Sequence, residues 1–289
     1  MVDYRILTDS SADLPFEYLK EHDVITTSLL YSIEGQTYSN DGGLPVHDFY
    51  EKMRAGNVVT TSQVNPTVWQ EAFEKALQDT DKLLVIAFSS GLSGTFNSAR
   101  IAAEEVMDEK DNVEIVVIDS LAASMGEGLL VHKAVVMHEA GKSFEETAEW
   151  IEAHKHNLVH AFTVSDLMHL YRGGRVSKTS AIVGTVINIK PVLNVDDEGH
   201  LVNVQNYRGR KKALRGLVDY MESHMGAYKD ENDIVFISHG DNEEDAKAVA
   251  EDITERFGIT NFLFSYIGPT IGAHSGPDTV AIFFMGDAR

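Results

Sequence analysis

A seven-residue turn, Ser89-Ser90-Gly91-Leu92-Ser93-Gly94-Thr95, constrains this chain more than any other stretch. It follows Lys82-Leu83-Leu84-Val85-Ile86-Ala87-Phe88, an apolar run of the kind that forms a buried parallel strand. It precedes Phe96 to Met107, where apolar residues recur at helical spacing and Ala99, Ala102 and Ala103 favour a helix. A strand, a tight Gly/Ser turn and a helix leave unpaired N–H groups at the helix start. They lie on the carboxyl edge of a sheet, where α/β proteins bind ligands. Four hydroxyls crowd the turn, so the expected guest is an anion such as a carboxylate or phosphate. The plainer role for Ser and Thr here is to cap the helix.

Taken in order, Tyr4 to Asp9 reads as a first strand, Asp13 as an N-cap, and Phe16 to Glu21 as a short helix with Pro15 in its first turn. Val24 to Ser32 reads as one β-branched strand, Asp41-Gly42-Gly43 as a turn and Val46 to Ala55 as a helix. Thr60 to Pro66 is a second hydroxyl-rich loop before a helix over Thr67 to Gln78. Val113 to Ile118 is a buried strand, followed by helices at about Gly128 to Glu139 and Ser143 to Lys155. These alternations predict βαβ units and a three-layer α/β/α domain with a mainly parallel sheet over residues 1–158, the boundary falling in the polar run His154-Lys155-His156-Asn157.

The pattern then changes. His160 to Val164 is a strand, Thr179 to Ile189 is apolar, and Val192 to Val195 and Leu201 to Val204 flank Asp196-Asp197-Glu198-Gly199 as a β-hairpin. Helices over Lys211 to Met225 and Glu243 to Phe257 and strands at Asp233 to Ser238, Phe262 to Ile267 and Thr279 to Met285 complete a mixed-sheet α/β domain over residues 159–289. Gly268 to Pro277, with two Gly-Pro units around His274, reads as a rigid loop holding that histidine.

Composition narrows the function. With no cysteine there is no disulfide, thiolate nucleophile or Cys-ligated metal. The net charge of −21 repels phosphate backbones and anionic membranes, so nucleic acid is excluded as an expected partner. No apolar run approaches the roughly 20 residues that span a bilayer, and no signal peptide precedes the first strand; a cytoplasmic location without membrane insertion is expected.

Several chemistries compete for the polar residues. Gly91-Leu92-Ser93-Gly94-Thr95 nearly spells the nucleophile elbow of a lipid or ester hydrolase with Ser93 as nucleophile, but Thr95 stands where that turn needs glycine. His154, His156 and His160, and His132 with His138, lack convergent ligand spacing; exposed histidines are expected there, and no metal. His274 is either an anion donor or base, or a core histidine bonded to backbone. Arg172-Gly173-Gly174-Arg175, with Arg208, Arg210, Lys211 and Lys212, is basic enough to bind phosphate or an acidic partner surface, or is a solvated turn. A protein that binds a phosphorylated small molecule is therefore a further alternative, although the nucleotide fingerprints are missing.

The motifs in sequence are similar to those of one family. Thr8-Asp9-Ser10-Ser11-Ala12-Asp13-Leu14-Pro15, Thr61-Ser62-Gln63, Ser90 to Thr95, Asp119-Ser120, Arg172 to Arg175, Lys190-Pro191, Ser238 to Asp241 and Gly272 to Pro277 follow one another as in the DegV family, bacterial fatty-acid-binding proteins that serve fatty acid kinase. The resemblance covers nearly the whole chain. It implies two α/β domains with one long-chain fatty acid between them, its carboxylate held by Thr61 and Ser93 with Ser62, Gly94 and His274 nearby. It implies a non-catalytic carrier without a cofactor, whose carboxylate a separate ATP-dependent kinase converts to an acyl phosphate. Arg172, Arg175, Arg208 and Arg210 would then face that kinase. The chain departs from the family at Gly276-Pro277-Asp278, where a carboxylate replaces the usual final glycine and is expected near His274. The loop after Gln63 also departs, reading Val64-Asn65-Pro66. Each buried methylene of a ligand chain contributes about 0.8 kcal/mol, so apolar burial would dominate affinity while the polar head fixes direction.

Overall fold

A computed structural model describes residues 3–40, 42–177 and 188–289. The expected apolar stretch from Thr179 lies outside these up to residue 187, and so does Asp41 of the expected turn. The first sheet is parallel, in the order β2 (Ile25–Thr27), β1 (Arg5–Asp9), β6 (Lys82–Ala87), β7 (Glu114–Asp119). Its central strands carry continuous apolar runs because helices cover both faces. On one face lie α3 (Pro66–Ala76) and α4 (Thr95–Glu109), around Trp69, Phe73 and Ala99. On the other lie α5 (Met125–Glu139) and α6 (Phe144–His154), the latter opened by a capping box between Ser143 and Glu146.

The second large sheet is mixed, in the order β10 (Leu201–Arg208), β9 (Ile189–Val195), β8 (Leu158–Thr163), β13 (Val280–Met285), β11 (Val235–His239), β12 (Phe262–Tyr266). Only β11 and β12 pair in parallel; the other neighbours are antiparallel, and β9 and β10 form the expected hairpin. Its outer face is covered by α8 (Arg210–His224) and α9 (Glu243–Phe257). Its inner face meets α5, which therefore lies between the two sheets. That explains why the first half of α5 is buried without a break from Met125 to Val131, enclosed between two sheets, before the helix opens to solvent at Val136 and Glu139.

A third, three-stranded antiparallel sheet corrects the linear reading. The expected strand Val24 to Ser32 is two strands in different sheets, β2 and β3 (Leu30–Ile33). The chain turns away at Leu29, whose N–H donates to Ser10 Oγ at 2.9 Å instead of continuing the ladder. β3 pairs with β4 (Gln36–Ser39) and β5 (Val59–Ser62), so the expected Thr60 to Pro66 loop begins as a strand. α2 (Val46–Arg54) packs Phe49 and Tyr50 beside this sheet. The expected loop at Gly268 is a short helix, α10 (Pro269–Ser275), with Pro269 in its first turn and Gly276 leaving at φ 84°. α7 (Met168–Arg172) precedes the Gly173-Gly174 turn.

Asp13 is not the cap of α1 (Phe16–Glu21), which starts after Pro15 without a side-chain cap. At φ 52° it closes a 3-10 turn over Ser10–Ala12, and its carboxylate accepts from Ser124 Oγ at 2.6 Å and the Gly268 N–H at 2.9 Å. Beside it, Ser11 Oγ contacts both Asp9 Oδ1 and, at 3.0 Å, Glu127 Oε2. Burial and the neighbouring Asp9 push the Glu127 carboxyl well up, while the Thr8 and Ser11 hydroxyls that donate to it act against that rise.

Candidate functional site

Three elements converge on one cavity of about 200 Å³. The Ser89–Thr95 turn leads from β6 into α4, β5 lies beside it, and α10 brings His274 across from the other half of the chain. Thr61, Ser62, Ser93, Gly94 and His274 all line this cavity at a partly exposed polar end. The rest of the wall is mainly apolar, with Phe88 and Leu92 from the turn, Phe162 from β8, Phe283 from β13, and Val195 and Leu201 from the hairpin, interrupted by Ser124, His160, Arg175, Thr270, Ser275 and Thr279.

Local bonds hold the polar end. Thr61 Oγ1 and His274 Nε2 are 2.8 Å apart. Ser93 Oγ lies 2.9 Å from Thr95 Oγ1 and accepts the Thr95 N–H at 3.2 Å; it does so from one residue before the cap position, which Gly94 holds without a side-chain bond, so the expected Ser or Thr cap is not formed. His274 is thus bonded to Thr61, not to backbone, and Ser93 is bonded to Thr95, not to a histidine. Gly94 admits the Gln63 side chain: a Cβ there would fall 2.2 Å from Gln63 Oε1, and Gln63 Nε2 donates to Ser98 Oγ at 2.9 Å. Gly173 makes room in the same way for the His274 ring, whose Nδ1 would lie 2.1 Å from an added Cβ.

The electrostatics give His274 a definite state. Burial, with the Arg175 charge adding to it, lowers its pKa to about 4, so the ring is neutral at neutral pH. Among the described residues Nδ1 is buried without a partner. With the Arg175 charge acting on the ring, a bare lone pair at Nδ1 costs less than an unpaired N–H. Nε2 then carries the proton and donates to Thr61 Oγ1, which leaves the Thr61 hydroxyl proton free to point at an acceptor in the cavity.

A family profile described as "Uncharacterised protein, DegV family" matches residues 3–287. A DegV domain-containing protein of Clostridium perfringens is 41% identical over 291 residues, covering 100% of this chain and 99% of that one. The chain belongs to the DegV family. A DegV protein from Thermus thermophilus, whose crystal structure concerns fatty acid binding, superposes with a TM-score of 0.88 at 27% identity, over 98% of this chain and 99% of its own. The Fak B3 protein of Streptococcus pneumoniae, a fatty acid kinase protein crystallised with linoleic acid, shares the fold with a TM-score of 0.86 at 23% identity, over 98% and 99% of the two chains.

In this DegV chain the four arginines separate into different settings. Arg175 reaches into the cavity wall, its Nε and Nη2 donating to the Leu92 carbonyl at 3.2 and 2.9 Å, so it ties the Gly173-Gly174 turn to the Ser89–Thr95 turn. Arg172 is exposed at the end of α7 and Arg208 at the end of β10. Arg210 is held by Asp245 at 2.7 Å and by the Asp278 carbonyl. The Asp278 carboxylate, expected beside His274, is instead paired with Arg54 at 3.1 Å. The expectation of exposed histidines holds for His156 and fails for His160, which is 2% exposed and accepts the Ala123 N–H at 3.2 Å in the cavity wall. His132 is half-buried against Tyr18, its pKa lowered to about 4 by burial. The apolar lining residues carry no local signal, because a strand residue facing a ligand has the same sequence signature as one facing the core. Among the described residues no helix is long and apolar enough to cross a membrane.

Proposed function

We propose that this protein binds one long-chain fatty acid in the cavity between its two α/β halves, divided near residue 158, and presents the carboxylate to a separate ATP-dependent kinase. The observation that carries this reading is the polarity of the cavity, hydroxyls and a neutral histidine at a partly exposed end and a mainly apolar wall elsewhere. Thr61 and Ser93 hold the carboxylate, Ser62, Gly94 and His274 surround it, and apolar side chains take the chain. Fatty acid binding in the Thermus thermophilus relative supports the same ligand class. A head group near solvent suits transfer chemistry carried out by a partner, and the hydroxyl donors hold the carboxylate without a covalent bond. Arg172 and Arg175 are the nearest candidates for the kinase-facing surface; Arg208 and Arg210 extend it, with Arg210 already engaged by Asp245.

The test is native mass spectrometry of protein purified from a bacterial host, followed by solvent extraction. A stoichiometric mass excess that extracts as a long-chain fatty acid is expected. Ser93→Ala should retain the fold and lose about tenfold in fatty acid affinity, the effect of one hydrogen bond to a charged group. A clean mass that no fatty acid shifts would refute the carrier reading, and ester turnover with covalent labelling of Ser93 by a fluorophosphonate would replace it with a hydrolase.

A further inference from the structure

α2 reaches the second half of the chain through His47, Tyr50 and Arg54, spaced three and four residues apart so that they share one helix face. Tyr50 donates to the Ile267 carbonyl at 2.8 Å, two residues before α10 begins, and a Cβ on Gly272 would fall 2.4 Å from the Tyr50 hydroxyl. Arg54 is engaged beyond the other end of α10. Its Nη1 donates to Asp241 Oδ2 at 2.5 Å, and its Nη2 to the Asp241 carbonyl at 3.2 Å and to Asp278 Oδ1 at 3.1 Å. His47 Nδ1 lies 3.0 Å from Asp241 Oδ2, and Glu51 accepts from Arg54 at 2.9 Å on the same helix. The helix that carries His274 is thus tied to α2 before its first residue and after its last, although Arg54 lines no part of the cavity.

Asp241 and Asp278 both sit at positive φ, 60° and 61°, a conformation that suits glycine better than a residue with a side chain. Their loops are locked to each other: the Asp278 N–H donates to the Gly240 carbonyl at 2.7 Å and the Gly240 N–H to the Thr279 carbonyl at 2.8 Å. Thr279 Oγ1 lies 3.0 Å from the carbonyl oxygens of Ser275 and Gly276, the last residue of α10 and its cap. The Asp241 side chain is only 11% exposed, so its charge depends on a partner. Among the described residues Arg54 is the only cation paired with the Asp278 carboxylate; Arg210 takes the Asp278 carbonyl instead. We propose that Arg54 is a positioning residue for the head-group site: it neutralises Asp241 and Asp278, so the strained loop that follows α10 stays in place and His274 stays against Thr61. The assignment rests on the fatty acid reading above and adds to it a residue outside the cavity on which head-group binding depends.

The experiment pairs palmitate calorimetry with NMR of the His274 ring in the ligand-free protein, on wild type, Arg54→Met, Asp278→Gly and the double variant. Arg54→Met keeps the side-chain stem and removes the charge. It should weaken palmitate about fivefold and shift the His274 ring signals, the scale of coupling within one polar network. Asp278→Gly accepts the positive φ and needs no counter-ion, so added to Arg54→Met it should bring affinity back to within about twofold of wild type. Unmoved His274 signals in Arg54→Met, a palmitate affinity within twofold of wild type, or a loss that Asp278→Gly does not restore would each overturn the assignment. A wild type that binds no palmitate would instead sink the fatty acid reading, and the ligand-free His274 signals would still decide for or against Arg54.

Discussion

Thr61 is the residue on which the head-group end turns. With His274 neutral and Nε2–H donating to Thr61 Oγ1, the threonine hydroxyl keeps its own proton for an acceptor in the cavity that it lines. Thr61→Val keeps the shape of the side chain and removes both bonds. Palmitate affinity should fall roughly ten- to a hundredfold, the range for a hydrogen bond to a charged group, with little change in melting temperature. An affinity within twofold of wild type, measured by calorimetry, would remove Thr61 from the carboxylate site. The same hydrogen bond shows why His274 conforms to neither sequence-based description alone: it is a buried histidine, as a core residue would be, yet its partner is a cavity-lining hydroxyl.

At the scale of elements, the β9–β10 hairpin closes one side of the cavity because its turn is seated on the Ser89–Thr95 turn. Ser89 Oγ donates to the Gly199 carbonyl at 2.8 Å, and a Cβ on Gly91 would stand 2.8 Å from the carbonyl oxygens of both Glu198 and Gly199. Those are backbone atoms on both sides, so neither can swing away as a side chain would. Gly91→Ala should cost about 1–3 kcal/mol and loosen acyl binding, since Val195 and Leu201 of the hairpin line the cavity. Thermal denaturation with and without palmitate checks both effects, and a variant that melts and binds as wild type would show that the hairpin yields freely.

For the whole molecule, buried titratable groups set the pH range of stability. The pKa values of His132 and His274 are lowered to about 4 by burial, and His160 is pushed well below the ordinary histidine value for the same reason. In each case the unfolded chain binds more protons between pH 4 and about 6.5, so stability rises with pH through that window. A tenfold difference in proton affinity between the folded and unfolded chain is worth about 1.4 kcal/mol, and the urea midpoint should drop clearly from pH 7 to pH 5. Glu127 acts in the opposite sense, its raised pKa favouring the folded state most in acid and less as pH climbs. An unchanged midpoint between pH 7 and pH 5 would contradict the neutral buried histidines.

Much of this architecture is written locally. The alternation of apolar runs and amphipathic helices determined the parallel sheet, and the Asp-Asp-Glu-Gly turn determined the hairpin, because both depend on residues a few positions apart. The motifs likewise singled out Thr61, Ser93 and His274, since hydroxyls and glycines at turns are local features. Tertiary structure alone decided the rest. The break at Leu29 depends on Ser10, the room for His274 depends on Gly173, and the removal of the Asp278 carboxylate to Arg54 depends on a helix 224 residues away in sequence. The cavity wall exists only once the Ser89–Thr95 turn, β5, β8, β13, the hairpin and α10 are brought together, because burial is a property of neighbours in space and not of neighbours in the chain.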